Sequence, residues 1–320
     1  MALKYAIIAV IMRAHLLQSR NWQSYTELEG YKTFWIEGED YQALAILHHT
    51  KLGNYLFCPY GPTLDPNSPL SSLKHALSAL QKLAKEQQAF FIRIEPIVEL
   101  RHDTLKKLDL VKSHDIEPAH TWVLDLTPPQ TDLIDRMEKN KARAWRNYTK
   151  KGISIRTTKD PEEITILTNL LQQVAERDKF TPQDEKHLKN QLESGFATLY
   201  VAEIDKQPIA ASLVYDYDGI RYYAHAAAND DYRKLAIGAI LLIQMIIDAK
   251  NTGAHEFDFW GVTTSDDPSH PWYGFTRFKK SFGGQIKNYS GTWDLAIHPV
   301  KYRLYQMVRH ANRLVRKIRK

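Results

Sequence analysis

The sequence predicts an α/β (α+β) protein of two domains, each a mixed sheet flanked by helices. Three observations lead there. Strand-like and helix-like segments alternate through both halves of a 320-residue chain, a length that favours two domains. Pro128-Pro129 interrupts the chain just after the strand-like run TWVLDLT, 121–127. In the second half, three strand-like runs precede a helix that is apolar nearly all round, and another strand follows. A helix of that kind is buried, and it crosses between strands of one mixed sheet. The expected domains are 1–127, joined by a C-terminal helix within 298–320 that packs back, and 128–297.

The first twelve residues, MALKYAIIAVIM, are apolar but too short to span a bilayer. Without a small-residue cleavage site, and with Arg13 and His15 following, they read as a strand or helix and not as a signal peptide. YQALAILHH and NYLFCPYGP read as a hairpin joined through Gly53-Asn54. Residues 69–88 are helical, with Leu73, Leu77, Leu80 and Leu83 on one stripe. FFIRIEP is a strand ended by Pro96. A helix is expected from about 131 to 151, capped by Gly152.

ATLYVAEID, QPIAASLVYDY and GIRYYAHAAA form three strands with tight turns at Asp205-Lys206 and Asp218-Gly219. The apolar helix spans 233–250, Gly253 ends it, and HEFDFWGV is the next strand. In the last helix, 299–319, Val300, Leu304, Met307, Val308, Ala311, Leu314, Val315 and Ile318 make an apolar stripe. Packing back on the protein is the first expectation for that stripe, and contact with an anionic membrane the second. The one cysteine, Cys58, excludes an internal disulfide. It reads as a buried structural thiol and fits a reducing, cytoplasmic setting, where the chain is expected, in part peripheral to the inner face of the plasma membrane.

The net charge is +6, and its distribution is more informative. Segments 136–156, 277–287 and 295–320 hold 20 of the 43 bases and one of the 37 acids. The remainder is therefore mildly acidic, and the three basic segments point to an anionic partner such as phosphate, nucleic acid or a membrane face. In the first segment Arg136, Lys139, Arg143, Arg146 and Lys150 are spaced 3, 4, 3, 4, which puts all five on one helix face. Ile134, Met137, Trp145 and Tyr148 form another face. A solvated face is the plain alternative to a polyanion-binding one.

No HExxH, CxxC, GxSxG or P-loop spacing occurs, and no metal is expected. The loop DDPSH, 266–270, reads as polar loop. With no nucleophile of a known type, any reaction runs through positioning and electrostatics. The run GFTRFKKSFGG, 274–284, sets Arg277, Lys279 and Lys280 among Phe275, Phe278 and Phe282. By itself it fits a solvated turn, a nucleic-acid patch or an active-site lysine in an apolar wall.

Three antiparallel strands, a buried helix and a further strand resemble the N-acetyltransferase (GNAT) superfold. That resemblance implies a pyrophosphate of acetyl-CoA on backbone N–H groups where strand meets helix. The matching turn, AAANDDYRKLAIGA, has one glycine, Gly238, and sets Asp230 and Asp231 where the pyrophosphate would lie. Two carboxylates there repel it.

The ordered set LLQSRNW, FFIRIEP, TWVLDLT with a basic helix ending KKGI, RYYAHAAAN, HEFDFWGV and GFTRFKKSFGG is similar to the Fem family, over roughly residues 15–310. These are the non-ribosomal peptidyltransferases that build peptidoglycan cross-bridges. The resemblance implies two GNAT-like domains, no cofactor and an aminoacyl-tRNA donor. It also implies an acceptor amine on a UDP-linked or lipid-linked muropeptide precursor. No heptad insertion is present, so the chain looks like the short form without a coiled-coil arm. The alternatives are a GNAT-type acyltransferase using acyl-CoA, or a non-catalytic tRNA- or membrane-binding module.

Carried over residue by residue, the resemblance puts Lys279 in the role of oxyanion stabiliser, with phosphate contact or solvation as its alternatives. Phe278 stands beside it, and Arg277 is a phosphate or solvent contact. Arg93 matches an arginine near the muropeptide groove, and pairing with Glu95 or Glu99 is its alternative. Trp22, Tyr223, His225, Asp258 and Trp260 are expected to bind substrate, with core packing the alternative for Tyr223 and His225. Period-2 alternation puts Tyr223 and His225 on one face, Tyr222 on the other, and Asp258 with Trp260 on a shared face. No base follows Trp22 in QSYTELEG, and Gln183 stands where the family has an arginine. Lys179, Lys186 and the basic helix Arg136–Lys150 are the candidates to hold the diphosphate or tRNA instead.

Overall fold

The computed structural model describes residues 12–178 and 181–318. Most of the apolar N-terminal run, and Lys179, lie outside the described residues. The fold is mixed α/β, and the chain forms two compact units, Met1–Ala119 with Asn288–Lys320, and His120–Lys287.

Numbered along the chain, the first unit has strands β1 (Lys32–Glu37), β2 (Tyr41–Thr50), β3 (Gly53–Cys58), β4 (Thr63–Leu64), β5 (Ala89–Ile94), β6 (Leu110–Lys112) and β14 (Trp293–Ala296). The sheet order is β1-β2-β3-β5-β14-β6, with β4 on β2. The hairpin β2–β3 turns at Lys51-Leu52, because Gly53 and Asn54 already pair with Thr50 and His49. Helix α2 (Pro69–Glu86) carries the chain from β3 to β5, which are parallel. Its Leu73, Leu77, Leu80 and Leu83 are buried with Cys58, Ile92 and Trp293.

The second unit holds β7 (His120–Asp125), β8 (Ile153–Thr158), β9 (Ala197–Ile204), β10 (Gln207–Tyr217), β11 (Ile220–Ala228), β12 (Glu256–Gly261) and β13 (Gln285–Asn288). Their order is β13-β7-β12-β11-β10-β9-β8. Strands β9, β10 and β11 are antiparallel neighbours. Asp205, Lys206, Asp218 and Gly219 all have positive φ, the geometry that two-residue hairpin turns require. Helix α8 (Ile237–Asn251) then crosses to β12, parallel to β11. Ten of its side chains are buried, and each large one contributes about 1.5–3 kcal/mol. It starts later than 233, because Asp230–Leu235 is a 3-10 segment closed by Ala236 in the left-handed region.

The two units repeat one plan: antiparallel strands, a helical crossover to a parallel strand, then an antiparallel strand from distant sequence. That last strand is β14 in the first unit and β7 in the second. TWVLDLT therefore belongs with residues that follow it, because β7 is hydrogen-bonded to β12. The boundaries fall at 119/120 and 287/288 instead of 127/128 and 297/298.

Two helices differ from expectation. The single helix over 131–151 is α4 (Gln130–Asp135), α5 (Lys139–Arg146) and a 3-10 turn, Thr149–Lys151. The break has a tertiary cause. The Glu138 N–H donates to the Ser281 carbonyl at 2.9 Å and not into the helix, while Leu133, Ile134 and Met137 enter the core. In the last helix, α10 (Pro299–Ile318), the expected stripe does not pack. Tyr302 is 4% exposed and Tyr305 lies against Phe91 at 5.1 Å between ring centres, whereas Val300, Leu304, Met307 and Val308 are exposed. The side chains of Leu314, Val315 and Ile318 lie outside the described ones.

Candidate active site

Strands β11 and β12 pair only from Ile220–Tyr222 to Glu256–Asp258. Beyond that point each continues without the other, β11 to Ala228 and β12 to Gly261. The carboxyl end of this parallel pair is thus a gap in the sheet, the kind of place where α/β folds bind ligands. What stands at the end of β12 is α9 (Tyr273–Lys280), the helix inside GFTRFKKSFGG.

Helix α9 is fixed from two sides. The buried Thr276 hydroxyl accepts the Thr263 N–H at 3.0 Å. Phe278 meets Phe282 edge-on at 5.1 Å, and Phe282, fully buried, stacks on Phe259 of β12 at 6.0 Å. The chain then turns through Gly283 and Gly284, both at positive φ. A Cβ on Gly284 would lie 2.3 Å from the Val123 carbonyl oxygen, so only glycine passes β7 this closely. The Trp122 indole N–H donates to the Gly283 carbonyl at 2.6 Å and completes the clamp.

This framework aims Lys279 at the end of β12, where its Nζ donates to the Gly261 carbonyl at 2.7 Å. An ammonium has three donors, and Gly261 takes one of them. Burial pushes the Lys279 ammonium down to about 8, against the pull of the Asp258 carboxylate in the other direction. Asp258 is itself 3% exposed, and burial raises it to about 6, opposed by hydrogen bonds from the Thr121 hydroxyl and the Trp260 N–H. At neutral pH the lysine is mostly protonated and the aspartate mostly ionised. A desolvated ammonium exerts a stronger field on a nearby developing oxyanion than one in water.

The other residues expected in the site divide. Asp258 and Trp260 are on β12 with Lys279 above them. Trp260 (φ +65°) stands against Tyr222 at 5.8 Å and Tyr215 at 6.3 Å. His225 joins that cluster, 6.3 Å from Tyr215, while Tyr223 packs on the α8 core. Tyr223 and His225 therefore do not share a face, and His225 lies with Tyr222. The cause is a bulge: Leu213 opposes His225 and Val214 opposes Tyr223, which leaves Ala224 as an extra residue. Burial lowers His225 to about 4 and raises the Tyr223 phenol, so both are neutral near pH 7. Arg277 is exposed, 5.9 Å from the Tyr273 ring centre.

Arg93 is elsewhere. It is 2% exposed in the first unit, and its guanidinium grips Asp294 of β14 at 2.7 and 2.8 Å. The partner is neither Glu95 nor Glu99. Tyr302 donates to the same carboxylate at 2.9 Å. The pair ties β5, β14 and α10 together as a core element, which leaves the guanidinium no face for a muropeptide. Trp22, also in the first unit, lies on α1 (Arg20–Leu28), 4.8 Å from Tyr25. The residues before it are structural. Gln18 is fully buried and bonds Pro59 and Leu44, and the Ser19 hydroxyl caps α1 at Trp22 N–H.

Arg136, Lys139, Arg143, Arg146 and Lys150 are all exposed, but the break at 136–138 and the 3-10 turn leave only Lys139, Arg143 and Arg146 on one helix. Of these bases Arg146 meets an acid, Asp135, at 3.4 Å. Gln183 and Lys186 are exposed as well. Sequence reasoning missed Lys141. Its side chain is largely buried, 3.0 Å from Glu138, in contact with the Ser281 hydroxyl and about 5 Å from the rings of Phe278 and Phe282. Its only signal was being the one lysine of α5 off the exposed stripe. Near the expected CoA turn, Asp230 pairs with Arg177 at 2.7 Å, and the Asn229 side chain accepts the Asp231 N–H. Among the described residues no group of His, Cys, Asp and Glu is placed to hold a metal ion.

A sequence profile of the FemAB family matches residues 185–310, the stretch that contains β11, β12 and α9. That stretch is similar to the FemAB family. Lipid II:glycine glycyltransferase of Staphylococcus saprophyticus subsp. saprophyticus is 22% identical, with 95% of this chain and 93% of that protein covered. A crystal structure of FemX superposes with a TM-score of 0.83 at 18% identity, covering 95% of this chain and 97% of that one. A tandem GNAT protein from the clavulanic acid biosynthesis pathway gives 0.51 at 13% identity, covering 82% and 81%. The gap at β11–β12 thus lies in a unit of GNAT-like fold whose crossover turn carries Asp230 paired to Arg177.

Proposed function

We propose that this chain, an aminoacyltransferase, moves an amino acid from aminoacyl-tRNA to an amino group on the stem peptide of a peptidoglycan precursor. The observation that carries the reading is the desolvated Lys279 ammonium at the end of β12, aimed by α9 and flanked by Asp258. In such a transfer the acceptor amine attacks the ester carbonyl, an amide bond forms, and the ester bond to the terminal ribose hydroxyl of the tRNA breaks. Negative charge builds on the carbonyl oxygen, where a fixed ammonium lowers the barrier. The relatives named for lipid II favour a lipid-linked acceptor over a UDP-linked one, and glycine as the first amino acid to test. The reaction would take place on the cytoplasmic side, where charged tRNA is found. The experiment is incubation with glycyl-tRNA and lipid II, followed by mass spectrometry of the acceptor. A gain of one residue is expected. No product with any aminoacyl-tRNA, or clear calorimetric binding of CoA, would sink the reading.

The pH dependence follows from the lysine. Lys279 acts as a cation, is protonated below about 8 and loses its charge as pH rises through that value. The ratio of the wild-type rate to that of Lys279→Ala is expected to be high and flat near pH 7 and to fall above pH 8. Using the ratio cancels titration of the acceptor amine. A ratio independent of pH from 7 to 9.5 would contradict an electrostatic role.

A further inference from the structure

Helix α10 presents two opposite faces. One packs on the first unit through Tyr302, Tyr305 and Arg309, the last against His114. The other carries Val300, Leu304, Met307 and Val308, which are 82%, 44%, 62% and 45% exposed. At 100° per residue these four fall within a sector of about 100°, centred roughly 150° from the packing face. Four of the eleven exposed large apolar side chains among the described residues lie on this one helix, so the exposure is concentrated and not scattered.

The charge around the stripe is of one sign. Residues 295–320 hold eight Lys and Arg and no acid. Lys301 and Arg303 are exposed and lie on either side of the apolar sector. An apolar stripe with basic flanks, on a 20-residue helix about 30 Å long, is the pattern of a helix lying in the plane of a membrane interface. Protein docking would place acids opposite those bases, and a solvated helix would not expose Met307 and Val300. Nor is the segment a span: among the described residues no helix is long and apolar enough to cross a membrane.

We propose that α10 is a membrane-docking element, which lays Val300, Leu304, Met307 and Val308 into the headgroup boundary of an anionic bilayer while Lys301 and Arg303 meet lipid phosphates. Tyr302, Tyr305 and Arg309 hold the helix to its unit from behind, so the surface is preformed. This deepens the lipid-linked reading of the acceptor, but its test uses neither donor nor acceptor and stands or falls separately.

The test is flotation of the full chain with vesicles of phosphatidylglycerol and phosphatidylcholine, against vesicles of phosphatidylcholine alone. Wild type is expected to float with the anionic vesicles and to be released as salt rises. Leu304→Asp/Met307→Asp is expected to lower partitioning about tenfold or more, and Lys301→Glu/Arg303→Glu to do the same on anionic vesicles only. Thermal melting serves as the folding control, and Met307→Ser/Val308→Ser replaces the first variant if it melts early. Failure of the wild type to float overturns the proposal. So does flotation that needs the bases but not the apolar residues, which would make the surface a general polyanion site. A dimer of the wild type that Leu304→Asp/Met307→Asp dissolves would assign the face to a second copy and overturn it as well.

Discussion

Lys279→Ala is expected to reduce kcat by about 10²–10³-fold, the magnitude seen when one oxyanion donor is removed, while leaving the melting temperature and tRNA affinity nearly unchanged. The lysine makes one hydrogen bond, to Gly261, and the buried Asp258 carboxylate beside it keeps its bonds from the Thr121 hydroxyl and the Trp260 N–H, so the loss strands no unpartnered group. Single-turnover kinetics with preloaded aminoacyl-tRNA separates the possibilities. A lysine that only contacts phosphate raises KM and lowers tRNA binding in proportion to activity. A lysine that acts on the transition state lowers kcat and kcat/KM together. Lys279→Arg keeps the charge but exchanges a compact ammonium for a planar fork. It is expected to recover only part of the rate, because the larger fork does not reproduce the compact ammonium's short contact with the Gly261 carbonyl. Binding that drops in step with kcat would remove Lys279 from the chemistry.

Arg93→Ala is expected to cost about 3–5 kcal/mol, because it removes the partner of the buried Asp294 carboxyl group. That corresponds to a fall of roughly 10 °C in the unfolding of the first unit. Asp294→Ala is expected to cost a similar amount by stranding the guanidinium. Arg93→Met/Asp294→Leu, which removes both charges at comparable volume, should regain much of the loss. Calorimetry of the three variants checks this. The pair is 2% exposed on each side, so solvent screening does little to soften it. If Arg93→Ala melts like wild type and instead raises KM for the acceptor, the groove reading of this arginine was right and the core reading wrong.

Arg93 shows where sequence reasoning stops. Its residue type, its strand and its place before Pro96 are legible, and so is the fact that an arginine in FFIRIEP needs a partner. The candidates within reach in sequence were Glu95 and Glu99. The real partner is 201 residues away, because β14 returns from the far end of the chain to pair with β5. The boundary expected at 127/128 moved to 119/120 for the same reason: TWVLDLT ends before Pro128-Pro129, yet β12 claims it. Alternation along β11 was read correctly up to Tyr223, and one extra residue, Ala224, then moved His225 to the other face. The 131–151 segment has unbroken helical periodicity, and the Ser281 carbonyl, taking the Glu138 N–H, interrupts it between Asp135 and Lys139. In α10 the apolar stripe was read accurately and assigned to the wrong surroundings.

The features legible in the sequence were local and periodic: the turns at Asp205-Lys206 and Asp218-Gly219, the stripe of α2, the all-round apolar α8, and the order of segments that resembles the Fem family. Those features follow from backbone geometry and hydrophobic spacing, both of which act over a few residues. The choice of Lys279 among three cations came from a resemblance and not from spacing, and it is the variant Lys279→Ala that tests it. The tertiary structure decided which groups lose water and which strands meet. A pKa near 8 for Lys279 depends on burial against β12, the worth of Arg93 depends on Asp294, and the exposure of Val300 and Met307 depends on tyrosines occupying the other side of α10. Desolvation and long-range pairing are properties of the packed chain, and no window of sequence contains them.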